Sequence, residues 1–258
     1  NIRLPKDSAL RGAMRIQNPL GEDTSIMRTI ALPSMLDILA RNYAYHNKNV
    51  KLYELAKIYL PTEGQALPAE PKMLTLGTYG EGTSFFTLKG QLEAILTGLR
   101  LPKATFTAVK DNPSYHPGRC AAVSMNGELL GYMGQVHPLV AKTYGLDTEV
   151  YCVEIDFSKA FTMMLPEATF TPLPKYPAVT RDLSLLCDEA TTIAELTDVI
   201  TAAGGKLLRR VDLFDIYRGK GVAEGKKSVA FSLVLRADDR TLTDADSEGV
   251  TKKVLAAL

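Results

Sequence analysis

Ser184, Asp215, Tyr217, Ser228 and Ser232 are the residues whose types and spacing best fit a chemical task. That task is recognition of nucleotide bases. An aromatic ring gives a base a stacking platform, worth about 1–3 kcal/mol. A carboxylate accepts from base amino and imino groups. Small hydroxylated side chains hydrogen-bond while letting a base come close. The adjoining run RGKGVAEGKKS adds Arg218, Lys220, Lys226 and Lys227, where phosphates would pass.

Groups suited to bond making are scattered. His46 follows a helical pattern beside Asn47 and Lys48, which fits a helix C-terminus. His116 and His137 each precede proline and mark turns or helix starts, with no nucleophile paired to either. No HExxH, GxSxG, GxGxxG or GxxxxGK[ST] occurs. An adenylating site needs arginines on ATP phosphates and carboxylates on magnesium. Arg28 and Arg119 could serve as anion ligands, but no carboxylate set accompanies them, and structural ion pairs or subunit contacts fit both better. The expectation is no catalytic residue and no metal ligand in this chain.

Several elements must position the recognition residues. In 228–236 Val229, Phe231, Leu233 and Leu235 share one face, and Ser228, Ala230, Ser232 and Val234 the other. In 211–217 Phe214 and Ile216 are expected on the apolar face, which puts Asp215 and Tyr217 opposite. In 183–187 Leu183 and Leu185 point inward and Ser184 outward. Helices at 193–203 and 244–258 complete a β-α-β-β-α order and cover the apolar face. The first has a Thr192/Glu195 capping box and a Gly204-Gly205 stop, and Thr243 caps the second. The other face stays open. It fits an RNA platform, but on pattern alone a half-exposed sheet beside a solvated basic loop is the better fit, since such faces are common.

Upstream, Leu32, Met35, Leu36, Leu39 and Tyr43 fall at helical spacing, with Pro33 in a first turn. Strands are expected at 50–60 and in KMLTLGTYG, and a helix through Leu88, Leu92, Ile95, Leu96 and Leu99. Asn126-Gly127 marks a tight hairpin between short apolar strands. HPLVAKTYGL reads as a short helix and VYCVEID as a buried strand. The fold class is α+β: a mainly antiparallel sheet with helices over 1–160, a Pro-spaced linker at 161–175, and a second unit at 176–258.

Composition bounds the rest. The 258 residues are 46% hydrophobic and 23% charged, with net charge +1, so no global field draws the chain to nucleic acid. Cys120, Cys152 and Cys187 lie far apart in apolar runs, which suits buried thiols in a reducing compartment better than a disulfide framework or zinc site. No apolar run approaches the ~20 residues of a membrane span, and no signal peptide is visible. The first residue is not Met and the last lie inside a helical pattern, as expected of a fragment.

Residues 176–258 resemble the ferredoxin-fold anticodon-binding domain that ends the β subunit of bacterial phenylalanyl-tRNA synthetases. The resemblance is carried by YPAVTRDLSL, LFDIYRGKGVAEGKKSVAFSL and DRTLTD. NPLGEDTSIMRT, YELAKIYLP, SYHPGR, GYMGQVHP and VYCVEID resemble the catalytic-like module that precedes it. The resemblance implies that the open face meets the anticodon of tRNA(Phe). Tyr217 would stack on a base, Asp215 and Ser228 would hydrogen-bond nearby, and Ser184 would fill a fourth contact position. It implies a ferredoxin-like domain without its last strand. The first module would be a class II synthetase-like scaffold without an active site, touching the catalytic α subunit through exposed residues of the 33–47 helix. It further implies a cytoplasmic α2β2 heterotetramer that charges tRNA with phenylalanine using ATP and Mg²⁺. Editing, another tRNA-binding fold and a magnesium site would lie in parts of the subunit outside this chain. Three alternatives remain at this point: an assembly module whose open face docks protein, an amino-acid-sensing regulatory domain, and a catalytic first module.

Overall fold

The computed structural model describes residues 2–258. They divide into two units, one ending at Ala168 and one spanning Thr169–Leu258. Among the described residues the first unit holds a six-stranded sheet, all antiparallel. Its strands are β1 (Val50–Lys57), β2 (Lys72–Tyr79), β3 (Thr105–Ala108), β4 (Tyr115–Met125), β5 (Glu128–Val136) and β6 (Val150–Asp156), in the order β1-β2-β6-β5-β4-β3. The helices are α1 (Leu32–Ala44), α2 (Phe85–Gly98), α3 (Pro138–Thr143) and α4 (Phe157–Phe161).

Central strand β6 explains the continuous apolar run VYCVEI: it is buried on both faces. Val153 and Ile155 pack with Leu88, Leu92 and Leu96 of α2. Val150 and Cys152 pack with Leu32, Met35, Leu36 and Leu39 of α1. The hairpin between β4 and β5 turns on Asn126 (φ 50°) and Gly127 (φ 82°), the two positive φ angles that a type I′ turn demands.

One local feature differs from the sequence expectation, and two short elements have no counterpart in it. His116-Pro117 marks no turn; it lies inside β4, in an irregular stretch where the register with β5 shifts between Tyr115 and Cys120. A proline fits there because the regular ladder is interrupted. β3 has four residues, too few to show an alternation. α4 has five, held by Asp156, whose side chain accepts from the Lys159 N–H at 2.8 Å. The other two histidines sit at helix ends. His137 caps α3, its Nδ1 accepting from the Leu139 N–H at 3.1 Å, and His46 follows α1 at φ 60°.

The second unit runs β7 (Val179–Asp188), α5 (Ile193–Gly204), β8 (Leu208–Tyr217), β9 (Lys226–Leu235) and α6 (Asp244–Ala257). Its sheet, among the described residues, has the antiparallel order β7-β9-β8. Capping boxes start both helices, Thr192 with Glu195 and Thr243 with Asp246. Val229, Phe231, Leu233 and Leu235 are fully buried. They pack with Leu196 and Ile200 of α5 and Val250 and Val254 of α6. Each such side chain contributes about 1.5–3 kcal/mol by leaving water. That core fixes which face of the sheet stays open.

Candidate nucleic-acid interface

The pairing register lays the open face out in rows. Leu186, Ser228 and Tyr217 form one row; Ser184, Ala230 and Asp215 the next; Asp182, Ser232 and Asp212 the third; Thr180, Val234 and Arg210 the fourth. Strands lie ~4.8 Å apart, so Ser184 and Asp215 stand roughly 10 Å apart across β9. The hydroxyls of Ser184 and Ser228 approach to 3.4 Å on the diagonal. The register therefore brings Ser184, Asp215, Tyr217 and Ser228 onto two adjacent rows.

The side chains on these rows are available. Tyr217 is 47% exposed. Its hydroxyl donates to the Lys220 carbonyl at 3.3 Å, which turns the ring toward the loop after β8. The Asp215 carboxylate has no hydrogen-bond or ion-pair partner among the described residues, so its acceptor capacity is unspent. Asp212 is taken by Arg210, Nε to Oδ2 at 2.7 Å. Asp182, Asp212 and Asp215 outnumber Arg210 on the face. Such a surface repels phosphate and favours groups that donate, as base edges do.

Phe214 is placed differently from the sequence expectation. The β8–β9 register shifts between Leu213 and Asp215. Leu213 pairs with Phe231 on the apolar side, Ile216 with Val229, and Phe214 falls in the bulge, 59% exposed. One extra residue on β8 accounts for this and leaves Asp215 and Tyr217 pointing outward.

The basic residues divide. Arg218 grips Glu189 with three contacts: Nε to Oε1 at 2.9 Å and Oε2 at 3.1 Å, and Nη2 to Oε1 at 2.7 Å. Lys226 pairs with Asp188 at 2.6 Å. Lys227 is buried on the helix-covered side opposite Cys187, and its Nζ donates to the Glu189 carbonyl at 2.9 Å. The sequence expectation that Lys227 stands beside the open face is thus corrected: strand β9 begins two residues earlier than periodicity suggested, and alternation puts Lys227 inward. Lys220 is exposed and forms no ion pair among the described residues. Asp182, Asp212, Arg210 and Leu186 also line the face. Alternation carried along the full length of β7 finds Asp182 and Leu186, whereas Asp212 and Arg210 lie beyond the bulge, which shifts the alternation of β8 by one residue.

In the first unit Arg28 and Arg119 serve the fold. Arg28 donates to Glu54 at 2.8 Å and to the Lys57 carbonyl at 3.0 Å. Arg119 bridges Gln135, Glu149 and Tyr151. No group of three or more His, Cys, Asp or Glu that could hold a metal occurs among the described residues. Cys120 and Cys152 are buried, and burial raises both thiols, Cys120 to about 11. No helix among the described residues is long and apolar enough to cross a membrane.

Comparison with known proteins adds two family matches. The phenylalanyl tRNA synthetase beta chain CLM domain matches residues 1–157. The ferredoxin-fold anticodon binding domain matches residues 174–258. The chain is also similar to the phenylalanine–tRNA ligase beta subunit of Clostridium acetobutylicum, 41% identical over 258 residues, covering 100% of this chain and 32% of that protein. The corresponding protein of Clostridium tetani is 40% identical with the same coverage. That of Bacillus subtilis is 36% identical over 251 residues, 93% of this chain and 31% of that protein. The chain thus spans about a third of the length of the curated relatives it matches.

Proposed function

The chain belongs to the phenylalanyl-tRNA synthetase beta-chain family, and from that premise we propose that its open three-stranded face reads the anticodon of tRNA(Phe) during ATP-dependent charging with phenylalanine. The observation that carries this is the pair of rows holding Tyr217, Ser228, Ser184 and Asp215, with an exposed ring and an unpartnered carboxylate side by side. Splayed single-stranded bases are recognised by such stacking and by hydrogen bonds to their edges. Tyr217 stacks on a base, Asp215 accepts from a base edge, and Ser184 and Ser228 hydrogen-bond beside them. Lys220 is the loop cation free to meet a phosphate. Arg218 and Lys226 would each leave a carboxylate to do so.

In this reading residues 1–160 are a class II synthetase-like module that performs no chemistry. Residues 161–175 link it to the anticodon-binding domain at 176–258. The spent side chains of Arg28 and Arg119 support that role, because neither is left to clamp a phosphate. The module offers the exposed side of α1 to the catalytic α subunit of a cytoplasmic α2β2 assembly, where ATP and Mg²⁺ act. A ferredoxin-like βαββαβ unit has one further strand, and the free edge of β7 is where it would pair.

Tyr217→Ala in the assembled ligase tests the proposal. Loss of a stacking partner worth about 1–3 kcal/mol should lower kcat/KM for tRNA by roughly 5- to 150-fold. Amino-acid-dependent ATP–pyrophosphate exchange, which needs no tRNA, should persist. An equal fall in both would refute the stacking role. Unchanged tRNA use alongside weakened capture of the α subunit would instead make the face a protein-docking surface.

A further inference from the structure

The connection between β8 and β9 is held at both ends by one residue that never reaches the open face. The Glu189 carboxylate takes the Arg218 fork at the start of the loop. The Glu189 N–H donates to the Gly225 carbonyl at 2.8 Å near the loop's end. The Glu189 carbonyl accepts from Lys227 Nζ at 2.9 Å, which also satisfies that buried ammonium. Between these anchors the Lys220 carbonyl receives the Tyr217 hydroxyl. Gly219 completes the arrangement. A Cβ there would lie 2.9 Å from the Tyr217 hydroxyl oxygen and 3.1 Å from its ring carbon Cζ. A side chain at this position would make the Tyr217 ring shift from where it lies.

We infer that Glu189 and Gly219 are positioning residues for the Tyr217 stacking platform: Glu189 fixes the loop, and Gly219 lets the ring lie against it. The inference deepens the anticodon reading of the face and rests on it. A platform fixed before binding loses less rotamer freedom when a base arrives. The same geometry assigns Arg218 to Glu189 rather than to a phosphate. The hydrogen bonds from Arg218, helped by its charge, hold the Glu189 carboxyl below the usual carboxylate range.

The test uses the assembled ligase with Tyr217→Ala, Gly219→Ala, Glu189→Gln, Arg218→Ala, and the charge swap Glu189→Arg with Arg218→Glu. tRNA charging and tRNA-independent ATP–pyrophosphate exchange are measured for each. Gly219→Ala and Glu189→Gln should each lower kcat/KM for tRNA by about two- to tenfold, the scale of ordering one side chain. Exchange should be unchanged. The swap should recover most of the loss, because it restores the ion pair with its charges reversed. Glu189→Gln should also steepen the salt dependence of tRNA binding by about one phosphate contact, since it frees Arg218. If Tyr217→Ala impairs tRNA use while Gly219→Ala and Glu189→Gln do not, the positioning roles are overturned and the anticodon reading stands. If the swap lowers tRNA use as far as Arg218→Ala, Arg218 is a phosphate ligand and the assignment of Glu189 is overturned. If Tyr217→Ala leaves tRNA use intact, the anticodon reading falls and this inference with it.

Discussion

Glu154 should give the first unit an unusual response to pH. Its carboxylate is 8% exposed and accepts from the Ala31 N–H at 2.7 Å and the Leu32 N–H at 3.3 Å, at the start of α1. Across the sheet it stands in one row with Thr75 and Glu54. Burial pushes its pKa from 4.5 up to about 7, against the pull of the two N–H groups and Arg28, and Glu54 adds to the rise. A carboxyl that ionises less readily when folded holds its proton more tightly in the folded state. Its contribution is therefore complete below about pH 4.5 and is lost as pH rises through about 7. At about 1.36 kcal/mol per pH unit, a window of roughly 2.5 units amounts to ~3 kcal/mol. Glu154→Gln removes the titration and keeps an oxygen for the Ala31 N–H. Relative to the native chain, the variant should gain about 2–3 kcal/mol between pH 5 and pH 8. Hydrogen exchange of peptides covering α1 and β6, compared between variant and native chain at each pH, reads this without involving the second unit. A difference that stays constant with pH, or shrinks as pH rises, would refute the reasoning.

Three further outcomes follow from packing and charge. Gly77→Ala would place a Cβ 2.6 Å from Met35 Sδ and 2.8 Å from Leu39 Cδ1, so it should push α1 off the sheet and destabilise the first unit by about 1–3 kcal/mol in urea unfolding. Phe231→Ala empties the centre of the second unit's core and should destabilise that unit by about 3–5 kcal/mol in the same measurement. Lys220→Ala should reduce the slope of log affinity for tRNA against log salt by about 0.7–0.9, whereas Lys227→Ala should leave that slope unchanged because its ammonium faces the protein.

The open face was largely legible in the sequence because β9 alternates without a break. Val229, Phe231, Leu233 and Leu235 declare one side, and the serines the other. The bulge at Phe214 was not legible. An extra strand residue changes pairing without changing composition, and an aromatic in a strand reads as core. The burial of Lys227 was hidden for a related reason: a lysine looks like a loop residue until the strand's first residue is known. The long-range contacts were hidden altogether. Glu154 stands out as a charge in an apolar run, but nothing local says that it holds a helix 122 residues earlier in the chain. Likewise the Arg218–Glu189 fork joins positions 29 apart, so RGKGVAEGKKS reads as a freely charged loop when part of its charge is already paired.

A structure of the assembled ligase with bound tRNA tests the central claim most directly. The expected result is the Tyr217 ring parallel to an anticodon base at van der Waals distance, with Asp215 accepting from a base edge and Ser184 and Ser228 beside it. An anticodon loop bound elsewhere, with these rows facing solvent or covered by protein, would contradict it.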